Sequence, residues 1–261
     1  MKMNTFPLYD NETPLSVSDF TPTLTYYAPI EKKSDACVVI FPGGGYAMRA
    51  PHEGDGYARF FQENGITSFV CDYRVKPESF PRPLLDARRA VRYARANAEK
   101  YGYSPDKILV MGSSAGGHLA SFVSTYRGDL EGEEGDSLRE VSSIPNGTIL
   151  CYPVIDMIGE YTHVGSRSNL VGDTGKAFEE ISTCDIADEL TPPAFLWHTT
   201  EDAAVHVANS FKYTLALRKL NIPAEVHVFP FGRHGLGLCP EDPHVAQWSA
   251  LLLNWMKLMN F

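Results

Sequence analysis

The chain has 261 residues, 44% of them hydrophobic, and a formal net charge of -9, an acidic balance that excludes a nucleic-acid binder, which needs a clustered basic surface. No apolar run reaches bilayer-spanning length, and Met1–Asp10 lacks the apolar core of a secretory signal, so no membrane partner is expected. The five cysteines, Cys37, Cys71, Cys151, Cys184 and Cys239, are odd in number and lack metal-ligand spacing; they read as reduced core thiols of a cytoplasmic protein with no metal or cofactor.

In chain order, the Pro-, Thr- and Asp-rich segment up to Ser34 is expected on the surface, with Thr23–Ala28 alternating as an early edge strand or hairpin arm. Ala36–Phe41 reads as a buried strand that runs into Pro42-Gly-Gly-Gly-Tyr46. A helix is expected over Tyr57–Asn64, a strand over Ile66–Val75, and a long helix from Leu84 to about Lys100 that stops at Gly102. Arg88, Arg92 and Arg95 share a face of that helix, and the expectation for them is a solvated surface stripe. Ile108–Met111 reads as a fully buried strand and Ala115–Tyr126 as a helix, with apolar residues at Leu119, Phe122, Val123 and Tyr126. The acidic, glycine-rich stretch Arg127–Pro145 is expected to be a mobile excursion.

A strand over Thr148–Ile155 follows, then Asp156–Pro193, which has helical fragments and no clear strand and reads as an insertion or small cap. Ala194–His198 is the next strand, Val205–Leu220 a helix, Ala224–Phe231 a strand, and Pro243–Leu258 an amphipathic last helix. Strands alternating with helices imply a largely parallel sheet covered on both faces. With no repeat and no composition shift, residues 1–261 are expected to form one domain.

Gly112-Ser-Ser-Ala-Gly116 matches G-x-S-x-G between a predicted strand and a predicted helix. At such a junction the turn is so sharp that the central residue, Ser114, is forced outward at the top of the sheet, beside the backbone N–H groups that open the helix. Ser113 occupies an x position and is not expected to face the site. A serine hydroxyl needs a base, and the base needs a group to hold its tautomer. His234, between Gly232 and Gly235 and just past a strand, has the right place in the chain. His118 is one helical turn beyond Ser114 and is expected to pack at the helix base. Asp202 follows the Ala194–His198 strand and is preferred as the orienting carboxylate over its neighbour Glu201, because it leads directly into the next helix. The order Ser, Asp, His is that of an α/β-hydrolase. An oxyanion needs preorganised donors; the N–H of Ala115 is one, and Gly43-Gly44-Gly45 can supply others. The glycine run is not a dinucleotide cradle, since Met48 stands where the third glycine of G-x-G-x-x-G belongs.

Asp72-Tyr-Arg74, Phe80-Pro81, Asp86, Gly112–Ala120 and His234-Gly235 together resemble the bacterial acetyl esterase/lipase group of α/β-hydrolases. That group borders the hormone-sensitive-lipase-like and acetylxylan esterases. The resemblance runs from about Ala36 onward and implies Ser114 as nucleophile, His234 as base and Asp202 as orienter. It further implies Gly44, Gly45 and Ala115 as oxyanion donors. Pro42 stands where lipase-like members carry a histidine, which leans toward the carbohydrate-esterase branch. The implied activity is hydrolysis of small acyl esters, acetyl esters of a sugar or oligosaccharide foremost, with a small-molecule ester as the partner. Small esterases of this kind often pair, so a homodimer is an open expectation. The competing readings are an arylformamidase-like or other amide hydrolase of the same fold, and a non-catalytic homologue that binds a ligand.

Overall fold

The computed structural model describes residues 3–172 and 177–261. Eight strands form one sheet: β1 (Met3–Pro7), β2 (Thr23–Tyr27), β3 (Cys37–Phe41), β4 (Thr67–Asp72), β5 (Ile108–Ser113), β6 (Gly147–Cys151), β7 (Ala194–Thr199) and β8 (Ala224–Phe229). Their order across the sheet is β1-β2-β4-β3-β5-β6-β7-β8. β1 and β2 run antiparallel to their neighbours, and every pairing from β4 to β8 is parallel. The helices are α1 (Pro51–Glu63), α2 (Arg82–Ala96), α3 (Ala98–Tyr101), α4 (Ser114–Thr125), α5 (Val164–Val171), α6 (Ala208–Lys219) and α7 (Gln247–Leu258). The largely parallel sheet anticipated from the alternation of elements is present.

Strand side chains alternate between faces, so each buried strand feeds two cores. Cys37, Val39 and Phe41 of β3 and Ile108 and Val110 of β5 pack with apolar residues of α2, α4 and α6. Val38, Ile40, Leu109 and Met111 point the other way, into a core shared with α1 and α7, where Trp197 and Trp248 stack 5.0 Å apart. β5 is central, and α4 behind it is buried along its whole length. The residues at the carboxyl ends of β3, β5, β7 and β8 therefore gather on one rim.

Several expectations are revised. Of the two alternatives for the early strand, β2 is a hairpin arm and not the edge: β1, whose sequence ends in Pro7, pairs antiparallel with it and occupies the edge, a position where a missing N–H costs no ladder bond. α1 starts at Pro51, six residues earlier than expected. Pro51 suits the first helical position, whereas Gly54 and Gly56 weaken the sequence signal there.

The arginine stripe of α2 is not solvated. Arg88 and Arg92 are buried and share one carboxylate, that of Glu133, at 2.9 and 2.8 Å. Arg89 pairs with Asp136, and Arg95 donates to the Ile144 carbonyl and to Asn146 Oδ1, both at 2.9 Å. The acidic stretch expected to be a mobile excursion is thus the counter-charge to α2 and is anchored along its length. Near the start of α2, Asp86 and Arg74 form a fully buried pair at 2.8 Å that ties the chain after β4 to the helix. Burial pushes the Asp86 carboxyl up even against the Arg74 guanidinium.

The expected insertion, Asp156–Pro193, contains α5 and a 3₁₀ turn over Phe178–Ile181; its residues 173–176 lie outside those described. His118 fastens this segment to α4. Its Nε2 donates to the Ile181 carbonyl at 2.7 Å, and its Nδ1 accepts from Tyr46 O–H at 2.8 Å. Full burial lowers its pKa from 6.5 to about 4. A histidine held neutral in this way stabilises the fold fully above about pH 6.5, and that contribution drains as pH falls through the window to about 4. Such a shift corresponds to about 3 kcal/mol. Urea denaturation on either side of that window is expected to show the loss in the wild type and a smaller loss in His118→Gln; equal losses would remove His118 as the cause.

Candidate active site

The turn between β5 and α4 has the geometry the glycine pattern requires. Ser114 sits at φ 53°, the left-handed region that a side chain with a Cβ rarely enters. Gly112 and Gly116 make this turn sterically feasible, because a Cβ on Gly112 would lie 2.0 Å from the Gly116 carbonyl oxygen, and one on Gly116 would lie 2.1 Å from that of Phe41. Ser113, as expected, faces away: it is fully buried, with its Oγ 2.9 Å from the Tyr57 hydroxyl.

Ser114, His234 and Asp202 come together as one hydrogen-bonded line. Ser114 Oγ is 2.8 Å from His234 Nε2, and His234 Nδ1 is 2.6 Å from Asp202 Oδ2. With the carboxylate accepting at Nδ1, that nitrogen carries the proton, and Nε2 is left with a lone pair facing the serine. Asp202 Oδ1 accepts from the backbone N–H groups of Ala204 and Val205, both at 2.9 Å, which fixes the carboxylate plane. Glu201 is turned elsewhere: its Oε2 accepts from Gly232 N–H at 2.9 Å, steadying the loop that carries His234.

The glycine loop after β3 lies beside this line. A Cβ on Gly43 would meet Ser114 Cβ at 3.1 Å. Gly44 adopts φ 135°, where a Cβ would strike the Met48 carbonyl oxygen at 2.2 Å. Among the described residues nothing accepts from the N–H of Gly44 or Gly45, so these donors and that of Ala115, at the start of α4, remain available to a ligand oxygen.

Four supporting residues escaped the sequence reading. His198, which ends the expected strand Ala194–His198, is fully buried behind Asp202. Its Nε2 is 3.3 Å from Asp202 Oδ2 and 2.9 Å from the Val205 carbonyl, and its Nδ1 is 2.8 Å from Ser210 Oγ. His163 caps α5, with its Nδ1 accepting from Ser166 N–H at 3.2 Å; burial and then the nearby His234 lower its pKa. Asn169 of the same helix donates to the Gly45 carbonyl at 2.9 Å, so α5 braces the glycine loop. Glu53 is buried in the first turn of α1. Its spacing of four from Tyr57 and eight from Phe61, both on the apolar face, is the signal that marked it. Tyr152 places its ring edge-to-face with His234 at 5.1 Å. Among the described residues no cluster of His, Cys, Asp or Glu is placed to hold a metal, and no helix is long and apolar enough to cross a membrane.

Residues 24–217 match the BD-FAE family. Over 237 residues the chain is 37% identical to Endo-1,4-beta-xylanase B of Butyrivibrio fibrisolvens, covering 88% of this chain and 37% of that protein. It is 33% identical to the acetylxylan esterase of Xylanibacter ruminicola, covering 87% of this chain and 46% of that one; the chain thus spans less than half the length of either. Among solved structures, an acetyl ester-xyloside bifunctional hydrolase from Caldicellulosiruptor lactoaceticus superposes with a TM-score of 0.91 at 39% identity, over 99% of this chain and 97% of that one.

Proposed function

The chain belongs to the BD-FAE family of α/β-hydrolases, and from that premise we propose that it is a serine carboxylesterase that removes acetyl groups from a sugar or short oligosaccharide, xylo-oligosaccharides foremost. The observation that carries this is the unbroken line from Ser114 Oγ through His234 to Asp202. His234 Nε2 takes the hydroxyl proton as Ser114 Oγ attacks the ester carbonyl. The imidazolium, stabilised by Asp202, then gives that proton to the departing alcohol oxygen. Water repeats the sequence on the acyl-enzyme and releases acetate. The N–H groups of Gly44, Gly45 and Ala115 are assigned to the oxyanion, a contribution of about 3 kcal/mol per donor in comparable sites.

Kinship to an acetylxylan esterase and to an acetyl ester-xyloside hydrolase supports the acetylated-sugar substrate. We read residues 1–261 as one catalytic unit, with the 156–193 segment helping to shape its substrate cleft. The test is a chain-length series of p-nitrophenyl esters run beside acetylated xylo-oligosaccharides. Release of acetate from the sugar is the expected result. Cleavage of nitrophenyl esters alone would overturn the sugar assignment, and cleavage of neither by folded protein would overturn the esterase.

A further inference from the structure

The first turn of α1 grips both loops that the chemistry needs. Glu53 is 3% exposed; its Oε2 accepts from Gly43 N–H at 2.8 Å and its Oε1 from the Tyr152 hydroxyl at 2.7 Å. The Tyr152 oxygen accepts from Gly237 N–H at 2.9 Å. Gly43 opens the glycine loop, and Gly237 lies three residues past His234. The neighbouring residue, His52, donates from Nε2 to the Gly235 carbonyl at 3.0 Å. A further branch reaches the elbow: the Tyr57 hydroxyl is 3.2 Å from that of Tyr152 and 2.9 Å from Ser113 Oγ.

The proton inventory gives this chain one direction. Tyr152 has a single hydroxyl proton and delivers it to Glu53, so it accepts from Tyr57, which accepts from Ser113. The arrangement is costly to maintain. Glu53 is a buried carboxyl whose nearest ion-pairing atom among the described residues, His52 Nε2, is 3.9 Å away. Tyr152 holds φ 36°, an unfavourable backbone conformation for an aromatic residue. A core built for stability alone would place apolar side chains at these positions. What this network provides is a rigid link of three hydrogen bonds between a donor loop and a base loop that come from distant parts of the chain.

We propose that Glu53, acting through Tyr152, is a positioning residue that holds the glycine loop and the His234 loop at one separation, so that the transition state meets its donors and its base together. The proposal rests on the esterase reading. Tyr152→Phe keeps the ring against His234 and deletes only the linking hydroxyl, whereas Glu53→Gln keeps the shape and replaces one of the two accepting oxygens. In each, kcat on p-nitrophenyl acetate is expected to fall about 10- to 100-fold, the scale of a small misplacement of reacting groups, while KM stays near the wild-type value.

The discriminating readout is affinity for an alkyl trifluoromethyl ketone. Ser114 Oγ bonds to the ketone carbon, its proton passes to His234, and the former carbonyl oxygen carries the negative charge. Affinity for the ketone is expected to fall in step with kcat, and the double variant is expected to be no worse than the weaker single one, because both delete the same link. Wild-type kcat and ketone affinity in folded Tyr152→Phe and Glu53→Gln would overturn the proposal. So would a fall in kcat with ketone affinity unchanged. Should Tyr152→Phe not fold, Glu53→Gln alone carries the same readouts. A wild type that hydrolyses no ester overturns the underlying reading and this proposal with it, whereas an active wild type with unaffected variants overturns this proposal alone.

Discussion

Ser114→Ala is expected to lower kcat/KM on p-nitrophenyl acetate by about 10⁴-fold or more, the scale found when a triad nucleophile is removed. The structure offers no substitute nucleophile at that position. Ser113 is fully buried, and its hydroxyl is engaged by Tyr57, so it cannot reach a carbonyl held by the proposed donors Gly44, Gly45 and Ala115. Alanine retains the Cβ that already occupies the left-handed backbone position, and the hydroxyl it removes makes its described side-chain contact with His234. The fold is therefore expected to survive, with circular dichroism and Tm close to wild type. Near-normal turnover in that folded variant would end the acyl-enzyme mechanism.

Asp202→Asn is expected to reduce kcat by about 10⁴-fold, and Glu201→Gln by no more than a few-fold. An asparagine can turn its amide toward His234 Nδ1; the ring is then held in the wrong tautomer, with a proton where it must receive one from Ser114. Glu201 touches only the Gly232 amide among these groups, and a glutamine oxygen still accepts that bond. The reverse ranking in steady-state kinetics would transfer the orienting role to Glu201. Burial raises the Asp202 pKa, but hydrogen bonds from the His198 and His234 rings and from the Val205 amide outweigh it and hold the carboxyl well below the usual carboxylate range. A depressed carboxylate stabilises the fold fully above the ordinary carboxylate pKa and loses that contribution only as pH drops through the lower folded value. Mild acidification therefore leaves Asp202 accepting, and any activity lost there has another source.

Whether an element was legible depended on how local its cause is. β3, β5, β6 and β7 are nearly continuous apolar runs because a parallel strand is buried on both faces, and each was read within a few residues of its observed ends. The start of α1 differs from the expectation partly because Gly54 packs closely on the sheet: a Cβ there would lie 3.1 Å from both Pro42 and Val70. A propensity reading registers the weak helix former and cannot register the neighbour that requires it.

By itself the sequence determined the alternation of strands and helices, the sharp turn at Gly112–Gly116 and the chain order of Ser114, Asp202 and His234. Each follows from side-chain period or from backbone sterics over a few residues. Only the tertiary structure decided where the charges of the interior go. Arg88 meets Glu133 across 45 residues, Tyr152 meets Glu53 across 99, and His234 meets Ser114 across 120. An arginine or glutamate has the same local pattern whether it faces water or a buried partner. Burying a charge is tolerable only once that partner is in place, and the partner's position is a property of the folded sheet.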